Sequence, residues 1–391
     1  MKAPKILIAG LLALLTAGVA SAQTVIHITG STAFRGAVHT ALTHILTNYT
    51  YAYSGTSLTG ASQAIFTGTA LTNNLSVIIK TSWSGSLAGI ETVSQAYPST
   101  VSTFLTNTTT QSAGGTPNAP AAYDPPVIPE VCMADGFQAT SQYPTPVLTA
   151  TTVGAVSFEF FKNAGAPASL TNMTPLLAQA LWNNGSLPLS MFSGNPADTT
   201  LVYATGRDPD SGTRKTAFLE TGVQTFVSAL TPAVVLQYEP INGSGQVNKN
   251  NASAITGLTN WPAETVDNIS FPVGDAGYSS GGDLATALGQ SSPYILVGYL
   301  GLSDGATASG LGATPMSYNG VPYSHAAAEN GQYTYWTYEQ LDYLPTYSGN
   351  GQKVANLLAS QIADETLTSY GESLSSMTVT RSQEGGPVTP K

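Results

Sequence analysis

Arg207-Asp208-Pro209-Asp210-Ser211-Gly212-Thr213-Arg214 stands between an apolar, β-branched run at 200–205 and a stretch at 213–230 where Phe218, Val223 and Phe226 recur at helical spacing. Strand, polar turn, helix is the repeating unit of a layered α/β protein. The turn also has the chemistry of an anion cradle. The first turn of a helix presents unpaired N–H groups and partial positive charge, and Gly212 permits close backbone approach. Ser211 and Thr213 add hydroxyls, and Arg207 adds a forked cation. The same Ser and Asp residues equally suit a simple helix cap, and the local sequence leaves both readings open.

The unit recurs along the chain. A strand at 25–29 stops at Gly30 and passes through Ser31-Thr32-Ala33-Phe34 into helical spacing at 36–46. A strand at 76–80 leads through a polar turn to Ser84-Gly85-Ser86-Leu87-Ala88-Gly89. Strands at 153–161 and 294–300, with helices at 174–182, 283–288 and 351–366, complete an alternation that predicts open, mostly parallel sheets. In such sheets ligands lie at the carboxyl ends of strands, where these three Ser/Thr/Gly turns would surround one dehydrated oxyanion. Residues 106–129 lack periodicity and read as a surface insertion; 237–268 resist assignment; the chain beyond 366 reads as a polar tail.

Composition limits the function. The 391 residues are 42% hydrophobic, enough for a large core and, by length, for two domains. Only 12 Lys and Arg are spread over a chain of net charge -10, which excludes nucleic-acid backbone binding and makes any anion site local. Lys2 and Lys5 precede an apolar run and then Ala20-Ser21-Ala22, which fits a cleaved signal peptide over residues 1–22 and a periplasmic or secreted, monomeric product. Cys132 is the sole cysteine, so neither an intrachain disulfide nor a zinc or redox pair can form; its default role is a small buried hydrophobe. No cofactor or metal is expected.

The segments, taken in order, resemble the periplasmic phosphate-binding proteins, receptor subunits of ABC phosphate importers in the class II solute-binding superfamily. Ile28-Thr29-Gly30 with Phe34 is similar to that family's first anion loop, and Ser84-Gly85-Ser86 to its second, with Ser86 at the hydroxyl position. Cys132-Met133-Ala134-Asp135 resembles the segment whose aspartate accepts a hydrogen bond from the protonated anion. Arg207 through Thr213 resembles its Arg-x-x-x-Ser-Gly-Thr loop, the most specific match. Gly281-Gly282-Asp283 with 297–301, and 331–344, resemble the second-lobe strand and the return crossing. Three positions depart from the pattern: Ala33 stands where a Thr is usual, Pro209 where an acidic partner of the Arg is usual, and Asp210 where a small residue is usual.

The resemblance implies a class II fold of two α/β lobes joined by two crossing segments, with the ligand in the cleft between them. Lobe one is expected over 23–150 plus 326–391 and lobe two over 151–325. It further implies a binding protein, not an enzyme, that captures phosphate or a related oxyanion for an ABC transporter membrane complex. Its ligand contacts would be Ser31, Thr32, Ala33, Phe34, Ser86, Asp135, Arg207, Ser211, Gly212 and Thr213. Rival readings are a secreted glycan- or surface-interaction protein on the same fold, and a secreted serine hydrolase built on Gly277-Tyr278-Ser279-Ser280-Gly281. That pattern needs a preceding strand and a downstream His, and His325 is the only His after Ser279. His27, His39 and His44 lack the further ligands a metal needs and read as structural.

Overall fold

A computed structural model describes residues 23–97, 103–224, 226–228, 231–233, 235–266, 269–365 and 368–391. The signal-peptide expectation for 1–22 lies outside the described residues. Among them no helix is long and apolar enough to cross a membrane.

Two strands organise the molecule. The first, Thr149–Lys162, is rich in β-branched and aromatic residues and is almost continuously buried from Val153 onward, as suits a strand covered on both faces. Its Thr149–Ser157 half pairs antiparallel with the second, Trp336–Tyr343, whose eight residues are all buried. Its Phe158–Lys162 half pairs with Ile295–Gly301. One strand therefore runs through two α/β units, and the other returns beside it. These are the two crossings.

On one side of the crossings lie Thr24–Gly30, Leu75–Ser82 and Val131–Asp135, with Thr24–Gly30 between the other two and parallel to both. On the other side Ile295–Gly301 runs parallel to Leu201–Ala204. The full order places the antiparallel strands Leu46–Tyr53 and Gln63–Ala70 at one edge and Ser186–Pro188 at the other. The sheet is therefore more mixed than the sequence reading of mostly parallel sheets. Both crossings run antiparallel to neighbours, and the edge strands, missed in the sequence, turn back through short connections.

Helices Arg35–Ile45 and Gly349–Asp364 pack on lobe one, and Gly281–Leu288 on lobe two. A core running through Ile26, Phe34, Leu42, Met133, Val156, Phe158, Trp182, Val202, Tyr299 and Leu358 spans both units. The helix opened by Gly212 ends at Thr221, not at 230. Gly222, at φ 73, takes the left-handed conformation that ends helices, and Phe226–Ser228 is a strand. The tail is not a loose end either: Arg381 and Glu384 are 5% and 2% exposed. Residues of the 106–129 insertion bridge to the edge strand at Tyr51 and Ala52 and send Asp124 to the buried Lys80.

Candidate functional site

The loop after Leu201–Ala204 is braced from every side. Arg207 is 2% exposed; its main-chain N–H donates to the Tyr299 hydroxyl at 3.2 Å, its Nε to Tyr278 O at 2.8 Å and its Nη2 to Ser279 O at 3.0 Å. Gln237, fully buried, donates to Arg207 O and Ala276 O while accepting from Trp182 and Tyr299. Arg214 bridges Arg207 O to the buried Asp275 carboxylate. Ser211 Oγ accepts from Arg214 N at 3.2 Å, the helix-cap role. A hydroxyl that accepts there still carries a proton to donate.

This loop meets lobe one directly. Leu87 N, in the first turn of helix Ser86–Ser94, donates to Asp210 O at 3.0 Å. Ser86 Oγ accepts from Asp135 N at 3.2 Å, Thr213 Oγ1 donates to Asp135 Oδ2 at 3.4 Å, and Thr216 Oγ1 to Asp135 O at 3.4 Å. A Cβ on Gly212 would overlap Asp135 Oδ1 and Ser86 Oγ, so only glycine admits this approach. Gly30, at φ 113, lies on Met133 O in the same way, and Ser31 N donates to Met133 O at 2.8 Å. Ser31 Oγ and Asp135 Oδ1 are buried with no hydrogen-bond partner among the described residues.

Burial pushes the Asp135 carboxyl up to about 6, against hydrogen bonding at its own main chain, Arg207, Lys215 and Thr213, all of which favour the carboxylate. Glu339 lies in register with Asp135 on the return strand; burial, then the charges of Asp135 and Asp342, push it far above the usual carboxylate range. Asp342 is pushed up to about 8, first by burial.

Of the residues singled out in the sequence, Ser86, Asp135, Gly212 and Thr213 are in mutual contact, Ser31 stands beside Glu339, and Arg207 exerts its field on Asp135. Thr32 and Ala33 line the same loop, with Ala33 Cβ against the open face of Gly301 in lobe two. Phe34 turns its ring into the core against Tyr370. Sequence reasoning missed Arg35, Asp304, Gln237 and Glu339. Arg35 Nη2 lies 3.7 Å from Asp304 Oδ1, a pair reaching from lobe one to lobe two, and Gly281 lies against both Asp304 and Arg207 Nη1. Its signal was legible: a cation in the first turn of a helix opposes the helix dipole and so serves something else.

Ser279 lies in a loop whose carbonyl accepts from Arg207, and His325 is engaged by Tyr323 and Glu372. His39 is structural: Trp83 Nε1 donates to its Nε2, Leu58 O meets its Nδ1, and burial lowers it to about 4.

Loops at the carboxyl ends of parallel strands in two units, meeting across a pair of crossing strands, decide the architecture. Two α/β units joined by two crossing strands are the architecture expected of the class II solute-binding fold. No protein-family model matches the chain, and no curated protein matches it. Solved structures do. A substrate-binding protein assigned to a phosphate ABC transporter, with bound phosphate, from Clostridium perfringens has TM-score 0.48 and 12% identity over 86% of this chain and 93% of that one. An ABC-type phosphate transport receptor from Vibrio cholerae has TM-score 0.46 and 10% identity over 86% and 93%. A phosphate-binding protein from Stenotrophomonas maltophilia has TM-score 0.42 and 13% identity over 88% and 85%.

Proposed function

We propose that this chain is an extracytoplasmic binding protein, without enzymatic activity, that captures an oxyanion between its lobes, phosphate first among candidates, for an ABC importer. Lobe one is taken as 23–150 with 326–391 and lobe two as 151–325. The reading is carried by one observation: a glycine-led helix N-terminus from lobe two rests on a buried aspartate and serine of lobe one, beside the Arg207 cation. Backbone N–H groups, hydroxyls and one forked cation suit a dehydrated tetrahedral anion, and Asp135 suits one that carries a proton. The contacts are Ser31, Thr32, Ala33 and Phe34 from the first loop, Ser86, Asp135, and Arg207 with Ser211, Gly212 and Thr213.

Titration calorimetry with phosphate, sulfate and molybdate, alongside thermal shift, tests this. A ligand at a hundred times its dissociation constant stabilises by about 2.7 kcal/mol. Phosphate is expected to bind and to raise the melting temperature; no response to any oxyanion removes the reading. A second reading, a surface-interaction protein that keeps the fold without the site, is favoured by the Arg207 donors already held by the Tyr278 and Ser279 carbonyls. The same titration separates the two.

A further inference from the structure

Glu339 is fully buried on the return strand, and among the described residues neither of its carboxyl oxygens has a hydrogen-bond partner. It is paired in register with Asp135, so the two side chains leave the same face of the sheet with Cβ atoms about 4.5–5.5 Å apart. Ser31 stands close enough to act on Glu339, though not in hydrogen-bond geometry, and its own Oγ is also unpartnered, as is Asp135 Oδ1. Buried polar atoms are nearly always satisfied, so this many orphaned oxygens in one place mark where a polar ligand makes its contacts.

Two carboxylates cannot both face one anion. A pair of acids at this spacing keeps a proton on one member, and a neutral carboxyl donates a hydrogen bond where a carboxylate only accepts. We propose that Glu339 is a second ligand-facing carboxyl, which as the neutral acid donates a hydrogen bond to the oxyanion that Asp135 meets as an acceptor. This rests on the oxyanion reading and makes Glu339 a specificity-determining residue of that site. The charge of Asp342, on the same strand, reaches Glu339, and Cys132, on the neighbouring strand, feels both acids; by strand alternation these two leave the opposite face of the sheet, while Arg207 and Lys215 act on Asp135. Burial and the two aspartates hold the Glu339 proton in place, and a bound anion holds it further. Affinity therefore falls once that proton is lost at high pH.

Phosphate binding by wild type, Glu339→Gln and Glu339→Leu is measured from about pH 6 to about pH 9, where the ligand's own titration is common to all three. Unliganded melting curves confirm that each variant is folded. Glu339→Gln, which keeps a donor, is expected to hold near wild-type affinity at the acid end and to lose less of it at the alkaline end. Glu339→Leu is expected to bind about 10- to 100-fold more weakly at the acid end, the loss of one hydrogen bond to a charged group. Wild-type affinity and an unchanged pH profile in both variants overturn the role of Glu339 while leaving the oxyanion reading intact. Absence of phosphate binding in the wild type overturns both.

Discussion

Gly212 has no side chain, and a Cβ in its place would meet Asp135 Oδ1 and Ser86 Oγ across the lobes. Gly212→Val is therefore expected to hold the lobes apart without unfolding either. Calorimetry should show phosphate binding abolished, and small-angle scattering should show a larger radius of gyration; retained binding would leave the loop a helix cap alone. Asp135 sets function against stability. Its carboxyl, at about 6 when folded against an ordinary 3.8, binds protons more tightly folded than unfolded. Stability from this group is thus greatest below the unfolded value and declines as pH rises toward the folded value, so that ionised Asp135 costs stability at neutral pH. Asp135→Asn should raise the unliganded melting temperature at neutral pH and narrow the preference for phosphate over sulfate, because an amide donates as well as accepts. An unchanged anion preference would free Asp135 from the discriminating role.

Helix Gly212–Thr221 owes its start to Ser211, whose Oγ accepts from Arg214 N, and its end to Gly222. Ser211→Ala should lower stability by about 1 kcal/mol, the ordinary worth of such a cap. It should also weaken phosphate binding if the hydroxyl proton faces the anion; equal affinities in variant and wild type would restrict Ser211 to capping. Arg207 lies in the loop that leads into this helix. Its removal should weaken binding by about 2–5 kcal/mol, and it should also cost stability, since the Ser279 carbonyl would lose the Arg207 donor and the Tyr278 carbonyl would keep only Asp208 N. Calorimetry and chemical denaturation on Arg207→Ala read the two effects apart.

Across the whole molecule the C-terminal tail ties the lobes together. Glu384 accepts from Phe137 N at 2.6 Å and Thr140 Oγ1 at 2.8 Å in lobe one and pairs with Lys215 Nζ at 2.9 Å in the lobe-two helix. Arg381 joins Glu220 of that helix to Thr334 O and Trp336 O beside the return crossing, with its guanidinium over the Trp336 ring. Glu384→Ala should strand Lys215 as a buried, unpaired cation and cost about 3–5 kcal/mol in denaturant unfolding. A loss within about 0.5 kcal/mol, the range of an ordinary surface substitution, would show that the tie contributes nothing.

The sequence by itself determined the alternation of strand, turn and helix, because hydrophobic period and Ser/Gly turn chemistry are local properties. Helices at 35–45, 175–184, 281–288 and 349–364 and the strand at 295–301 fall within a few residues of where spacing places them. It left the Arg207–Thr213 loop open between an anion cradle and a helix cap, and Asp135 was singled out only by resemblance. What only tertiary structure decided lies at long range. That Gln237, in a segment with no periodicity, braces the Arg207 loop, that Arg35 reaches Asp304, and that Glu339 stands opposite Asp135 depend on strand register and lobe contact. The chain beyond 366 reads in sequence only as a polar tail because burial of Arg381 and Glu384 needs partners up to 247 residues away. Side-chain type is written in the chain, but whether a charge is exposed or buried, and what it faces, is fixed only when distant segments meet.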